Sequence, residues 1–477
     1  MALSSESSEQ PSQSDATNGV SFRRHGLWAL AGRLLNIAVV ASSSFVLARI
    51  MPTKADFGTF TFLQSVVTLC GIVAGIGSGT VAIRWAAEAN HRGQSPSRDL
   101  RVIAATLGVA AVLTGLSSAI GLSWWSGSGQ SLLLSPTMLM IVGVAIAFRG
   151  SHQFFAGAAR GHTRLKTANL LDGANGSPIS NGFTLLAFCL ASLAVVGTWE
   201  VATTSLALAN VIAALTGMWL LRDLLFAHQG RRQRDDDAFK RLLAIGIPVA
   251  ATSLIVFLVE QLDVLYAGAF LSDEELADYS AAKRFSLLLR MPFAMVNMAV
   301  TGVISNYYIA GKKQELQRIL SGTAVIAFAC SLCASLPILL LPATMLELGY
   351  GEGYSAAATT LLILVAGQLI MVVGGSCQQA LILTEFQGVA MKVNLSAALV
   401  FCGLLISVPG IGPERVAICF TLTTAIRAGV MWWMALRHLE INTAPTRIGA
   451  AWAVSQLRSV PVLKKLFRAK NESSGKS

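Results

Sequence analysis

Residues 320–344, LSGTAVIAFACSLCASLPILLLPAT, run for 25 positions without an acidic or basic side chain. A helix of about 20 such residues crosses the hydrocarbon core of a bilayer. Reading outward with the same window gives about twelve spans: 27–49, 57–80, 102–124, 132–150, 178–197, 201–221, 242–265, 284–307, 320–344, 356–381, 390–410 and 414–436. The composition points the same way. Of the 477 residues, 54% are hydrophobic and 13% charged, against roughly 25% charged in soluble domains. Mean hydropathy is +0.61. A soluble enzyme, a disordered chain and a collagen-like fibre are excluded, because only lipid can solvate this much apolar side chain. The predicted class is an all-α integral membrane protein.

The net charge of +11 is distributed by side. Sorting the predicted loops alternately puts 28 of the 36 basic residues on one face, eight of them in the C-terminal tail. Five lie on the other (Arg49, Lys54, Lys283, Arg284, Arg415), and Arg33, Arg290 and Arg427 fall inside spans. The positive-inside rule then places both termini in the cytoplasm, which an even number of spans satisfies. The chain reads as a multi-pass protein of the cytoplasmic (inner) membrane whose basic excess needs no nucleic-acid partner. Residues 1–22 are Ser-rich and polar, the composition of a disordered segment, and lack the pattern of a cleavable signal. Residues 438–477 form a basic cytoplasmic tail whose apolar positions Trp452, Leu457 and Leu463 suit an interfacial helix.

The most polar interior stretch, QGRRQRDDDAF at 229–239, divides the spans six and six. This predicts lobes at 23–226 and 242–437 joined by a cytoplasmic loop at 227–241. LARIMPTKADFGTF (47–60) overlays YAGAFLSDEELADY (266–279) without a gap, Asp56 falling on Glu275 and Phe60 on Tyr279. Each segment leads from the first span of its half into the second. Halves with an even number of spans share one orientation, which implies a pseudo-twofold axis along the membrane normal and a cavity between lobes.

These segments carry a resemblance. LARIMPTKADFGTF with the following glycines Gly71, Gly75 and Gly77, EQLDVLYAGAFLSDEELADYSAAKRFSLLLR, and LGYGEGYSAAATTLLILVAGQ together resemble the polysaccharide (O-antigen and exopolysaccharide) flippases. That family belongs to the superfamily that also holds multidrug and toxin exporters and lipid II flippases. Twelve spans, without an extra C-terminal pair, set the chain apart from the lipid II branch. The resemblance implies translocation of a polyprenyl-diphosphate-linked oligosaccharide across the cytoplasmic membrane by alternating access. Membrane lipid and the lipid-linked glycan are then the partners, together with polymerase and other polysaccharide-assembly proteins.

Charges within the spans are costly and face a cavity or a partner. In a continuous eighth span Lys283, Arg290 and Asn297 lie at i, i+7 and i+14, with Thr301 one turn on, so they share a face. Such a face suits a diphosphate. The alternatives are pairing of Arg290 with an acidic neighbour and snorkelling of Lys283 and Arg284. Arg33 and Asn36 in the first span and Arg427 in the twelfth are further candidates for a cationic cavity. Glu260 and Asp263 in the seventh span either neutralise arginines or hold a coupling H+ or Na+. Thr61, Gln64 and Thr68, and Asn175, Ser180 and Asn181, either contact sugar or link helices.

No phosphate-binding GxxxxGK[ST] loop and no metal-spaced cluster occurs in the sequence,. No catalytic residue, metal ligand or cofactor is therefore expected. Seven irregularly spaced cysteines, with Cys330 and Cys333 inside an apolar run, indicate no disulfide framework,. Two alternatives stay open. One is a drug/cation antiporter of the same superfamily, whose cavity should be anionic or aromatic. The other is a membrane-embedded polysaccharide polymerase or ligase, which should carry a larger outer loop.

Overall fold

The computed structural model describes residues 35–36, 38–91, 108–109, 112–118, 120–121, 135–162, 164–171, 177–225 and 238–459. The N-terminal segment, Arg33, most of the predicted third span, the loop 226–237 and the chain beyond Ser459 lie outside the described residues. Among the described residues every regular element is a helix. They include α1 (Ala38–Ile50), α2 (Lys54–Gly75), α3 (Ser78–His91), α4 (Pro136–Gly161), α5 (Leu165–Leu171), α6 (Pro178–Ser192), α7 (Trp199–Leu220) and α8 (Ala238–Phe270). There follow α9 (Asp273–Leu288), α10 (Met291–Ile309), α11 (Lys313–Leu340), α12 (Pro342–Tyr350), α13 (Ala358–Val373), α14 (Cys377–Ile382), α15 (Gln387–Ser407), α16 (Pro413–Leu439) and α17 (Arg447–Ser459). Among the described residues eight helices are long and apolar enough to cross a bilayer, and α1 and α6 are shorter apolar helices. The all-α membrane class read from the sequence holds.

The predicted 320–344 span ends its helix at Leu340, before α12 begins at Pro342, and three more predicted spans are interrupted. The 57–80 span breaks between α2 and α3 at Ile76 and Gly77, both in the left-handed region (φ 45° and 61°). The 356–381 span breaks after Val373, where Gly375 has φ 66°. The 284–307 span breaks between α9 and α10 at Leu289 and Arg290. Pro292 is the cause: it has no N–H for the Leu288 carbonyl, and its ring clashes with that carbonyl in a continuing helix. The chain tightens instead, with the N–H groups of Leu289 and Arg290 donating to Ser286 and Leu287 at 3.1 Å each. The expectation of one continuous helical face through Lys283, Arg290 and Asn297 is therefore corrected: Lys283 is on α9, Asn297 on α10, and Arg290 is the N-cap between them.

Packing resolves two compact units that interleave along the chain. The first holds Cys70–Ala187, Thr204–Ala250 and the chain up to Ser43; the second holds Ser44–Leu69, Phe188–Thr203 and Ala251–Ser477. In the first unit α4 packs on α2 and α3 through glycines. A Cβ on Gly150 would stand 2.9 Å from the Gly75 nitrogen, and one on Gly157 would stand 2.1 Å from the Gly79 carbonyl oxygen. Without Cβ atoms the backbones meet directly, as small residues permit in membranes. Trp85, Phe154, Phe155, Leu171 and Leu221 form the core beside this contact.

In the second unit the two overlaid segments acquire a shared physical basis. Thr53 caps α2: its Oγ1 accepts from the Asp56 N–H at 3.1 Å and donates to Asp56 Oδ2 at 2.5 Å. Ser272 caps α9 in a full capping box, with Glu275 Oε2 accepting from the Ser272 N–H at 3.0 Å. Asp56 and Glu275 thus hold the same position, three residues past the cap. The two helices meet at Gly58, where a Cβ would stand 2.1 Å from the Asp273 carbonyl oxygen. A core of Val300, Ile304, Leu316, Leu320, Leu381, Met431 and Leu439 joins α10, α11, α14 and α16. The described part of the basic tail, α17, docks on α11: Trp452 covers Gly322, and Gly449 lies against Ser321.

Candidate functional site

The intramembrane charges converge in the second unit, between the end of α8 and the α9–α10 turn. Glu260 and Asp263 sit one turn apart on α8 and present to one side. Tyr279 and Lys283 are i and i+4 on α9 and project from one face toward them. Lys283 Nζ lies 2.6 Å from Asp263 Oδ1, with 3% and 0% of the two side chains exposed. It also donates to the Glu260 carbonyl at 2.6 Å, and stands 4.8 Å from the centre of the Phe420 ring. The Tyr279 hydroxyl donates to the other carboxylate oxygen of Asp263. Asp263 is therefore neutralised and hydrogen-bonded on both oxygens, which a buried carboxylate requires.

Glu260 serves a second set of cations. Arg290 Nη2 reaches Glu260 Oε1 at 3.4 Å, and the pair is more open, at 24% and 39% exposed. Arg427, on α16 and buried, adds its charge to that of Arg290 on the same carboxylate, and its Nη2 reaches Met371 Sδ at 3.8 Å. Thr424, one turn before Arg427, is buried as well. Asn297 stands further along α10 with a buried Oδ1 that has no hydrogen-bond partner, and its carbonyl accepts from Thr301. In the first unit, Asn36 likewise has a buried Oδ1 without a partner among the described residues. Arg33 lies outside the described residues.

Arg284 is not the interfacial anchor that its place at a span end predicts. In place of a lipid interface, its guanidinium reaches Ser44 Oγ and Gln64 Oε1 at 2.6 Å each, and Thr61 Oγ1 at 3.4 Å. These partners come from the first half of the sequence, and all are neutral. The Phe57 ring lies 5.4 Å below the guanidinium carbon. Phe45, Phe57, Phe285, Tyr350 and Tyr354 form an aromatic cluster around it. Nearby, Lys54 bridges to Asp278 at 2.6 Å and to the Gly353 carbonyl at 2.8 Å. Thr61 and Gln64 were flagged for their polarity. Their arginine partner is 220 residues away in sequence, and no local spacing announces it.

Other candidates are placed elsewhere. Ser180 donates to Asn210 Oδ1 at 2.8 Å inside the first unit, and Thr68 bonds the Gln64 carbonyl on its own helix. Asn175 lies outside the described residues. Outside the spans, Arg164 holds Asp223 through both carboxylate oxygens, and that bond keeps the Asp223 carboxyl below its ordinary range. Among the described residues no group of three or more His, Cys, Asp and Glu side chains is placed to hold a metal.

Residues 23–307 match the family described as Polysaccharide biosynthesis protein, and residues 248–407 match the MatE family. No curated protein matches the chain. Among solved structures it is similar to the lipid II flippase MurJ in an inward closed conformation, at 13% identity and a TM-score of 0.67, covering 90% of each chain. A MATE protein in complex with MaL6 aligns at 15% identity and a TM-score of 0.61, over 87% of this chain and 95% of that one. A MOP superfamily transporter from Pyrococcus furiosus aligns at 15% identity and a TM-score of 0.57, over 87% and 95%. At these identities the structural likeness defines a fold.

Proposed function

Because this chain belongs to the polysaccharide biosynthesis protein family, we propose that it is a flippase for polyprenyl-diphosphate-linked oligosaccharide repeat units, supplying O-antigen or exopolysaccharide assembly. One observation carries the reading. Four basic side chains gather within or beside the spans of the second unit (Lys283, Arg284, Arg290, Arg427) against two carboxylates, Glu260 and Asp263. Asp263 answers Lys283, and Glu260 pairs with Arg290 and lies in the field of Arg427. Among the described residues Arg284 is held by neutral oxygens. A protein that carries excess positive charge into apolar surroundings gains most from an anionic ligand. A diphosphate supplies two phosphates that match forked guanidinium donors.

In this reading Arg290, Arg427 and Arg284 attract the diphosphate, with Arg33, Asn36 and Asn297 as further polar contacts. The lipid tail stays in the bilayer while two six-helix halves, 23–226 and 242–437, expose the headgroup alternately to each side. Localisation in the cytoplasmic membrane with both termini inside follows from the basic asymmetry of the loops. Energy coupling by H+ or Na+ through Glu260 and Asp263 belongs to the same proposal and is constrained by their basic partners. The positive excess opposes a drug/cation exporter, whose cargo it would repel, and transport is preferred to polymerase or ligase chemistry.

The test is genetic and biochemical. Deletion should make cells accumulate lipid-linked repeat units and lose surface polysaccharide; normal surface glycan under inducing conditions would refute the function. Arg284→Ala and Arg290→Ala, inserted at the wild-type level, should each cut export about 10-fold or more, since a charged hydrogen bond contributes roughly 1.5–3 kcal/mol. Export unimpaired in both variants would refute the site.

A further inference from the structure

We infer that Lys283 is a tethered cation: its ammonium fills, from within the chain, the position at Asp263 that a free monovalent cation would otherwise take. The inference rests on the transporter reading only for its consequence, that the transport cycle runs without Na+ at this site. The geometry itself is independent of cargo.

A carboxylate on a membrane-spanning helix must be neutralised. Transporters of many kinds could meet that need with a proton, a soluble cation or a basic side chain. Here Asp263 is 1% exposed. One of its oxygens lies 2.6 Å from Lys283 Nζ, and the other accepts from Tyr279. The ammonium has a second oxygen ligand at 2.6 Å, the Glu260 carbonyl, and the Phe420 ring face at 4.8 Å supplies the remaining side. A carboxylate oxygen and a backbone carbonyl at this distance, under an aromatic face, are hard oxygen donors and a π-surface that suit any small monovalent cation. The other charges that bear on this spot are Glu260 on α8 and Arg290 at the α9–α10 turn. Arg290 is drawn to the Glu260 carboxylate, which leaves Lys283 as the sole ion-pair partner of Asp263 among the described residues.

Two consequences separate a tethered cation from an ordinary structural ion pair. With Lys283 present, an added cation finds the site filled. With the side chain cut back to Ala, the carboxylate, the Glu260 carbonyl, the tyrosine hydroxyl and the ring remain around a space of ammonium size. That space should take Na+ or methylammonium and exclude choline.

The experiment is thermal unfolding of the purified full chain in detergent, at fixed ionic strength, in Na+, methylammonium or choline salts. Wild-type protein should have the same Tm in all three. Lys283→Ala should unfold at a lower Tm in choline and recover by at least about 2 °C in Na+ or methylammonium, as binding to the folded state requires. Adding Asp263→Asn to Lys283→Ala should abolish that recovery. A Na+-selective rise in wild-type Tm that Asp263→Asn removes would overturn the inference. So would a folded Lys283→Ala protein that answers to neither small cation. If Lys283→Ala does not fold, the wild-type arm decides: a Na+-selective rise overturns the inference, and an equal Tm in all three salts upholds it. Because the readout is thermal, these outcomes stand even if the chain proves not to move lipid-linked glycan, and loss of export in a deletion strain bears on that reading alone.

Discussion

Replacing Gly58 by Ala should destabilise this protein, although the same change stabilises most helices. Gly58 lies in the first turn and a half of α2, where Ala is favoured over Gly by about 1 kcal/mol in an open helix. Here the added Cβ would stand 2.1 Å from the Asp273 carbonyl oxygen, 3.1 Å from the Ala277 nitrogen and 3.2 Å from the Asp273 carbonyl carbon. Every one of these atoms is α9 backbone, so no side chain can swing aside. Van der Waals contact needs about 3.5 Å, which obliges α2 and α9 to separate by on the order of 1 Å. Overpacking of this kind costs about 1–3 kcal/mol, and more where backbone must move. Separation also stretches the Lys54–Asp278 bridge, now 2.6 Å, and the Arg284 bonds to Thr61 and Gln64. Because the clash is with backbone, the packing cost falls at the upper end of that range and exceeds the propensity gain, leaving a net loss of about 2 kcal/mol. Thermal unfolding in detergent should show a Tm fall of about 1–2 °C. Gly403→Ala, in α15 with nothing within 4 Å of the added carbon, is the control and should leave Tm unchanged or raise it. A Gly58→Ala protein as stable as wild type would refute the reasoning, because α2 and α9 could not then meet as described.

Two further expectations follow, one from an ion pair outside the spans and one from the docking of α17. Arg164 depresses the Asp223 carboxyl, so the pair stabilises the fold above the ordinary carboxylate pKa near 4, and that contribution disappears as pH falls through the lower folded value. Asp223→Asn should therefore show a small Tm deficit at pH 7, equivalent to about 1 kcal/mol or less for so exposed a pair, and none at the acid end; a deficit that grows on acidification would contradict the pairing. Gly322→Leu should dislodge α17, because even a Cβ there would lie 2.1 Å from the Trp452 ring; limited proteolysis should then cut within Arg447–Ser459 faster than in wild type, and equal rates would mean that α17 is not docked on α11.

The sequence alone determined the solvent of this protein and its helical class. Those properties follow from residue type and window length: 25 uncharged positions in a row have one stable environment. It also located the charged positions that matter, since a base or acid inside such a run is conspicuous wherever it folds. The repeat was visible in one gapless overlay, though the cap that explains Asp56 and Glu275 emerged only from the helix starts. Tertiary structure decided which charge meets which. Spacing within the eighth span put Lys283 and Arg290 on one face, but Pro292 breaks that helix, and the two side chains turn to different carboxylates. Arg284 looked like an interfacial anchor because local sequence records distance from a span end, whereas its partners Ser44, Thr61 and Gln64 lie more than 200 positions away. Pairing in a membrane is a property of helices brought side by side, and the balance of two acids against four bases, on which the functional proposal rests, exists only once they are assembled.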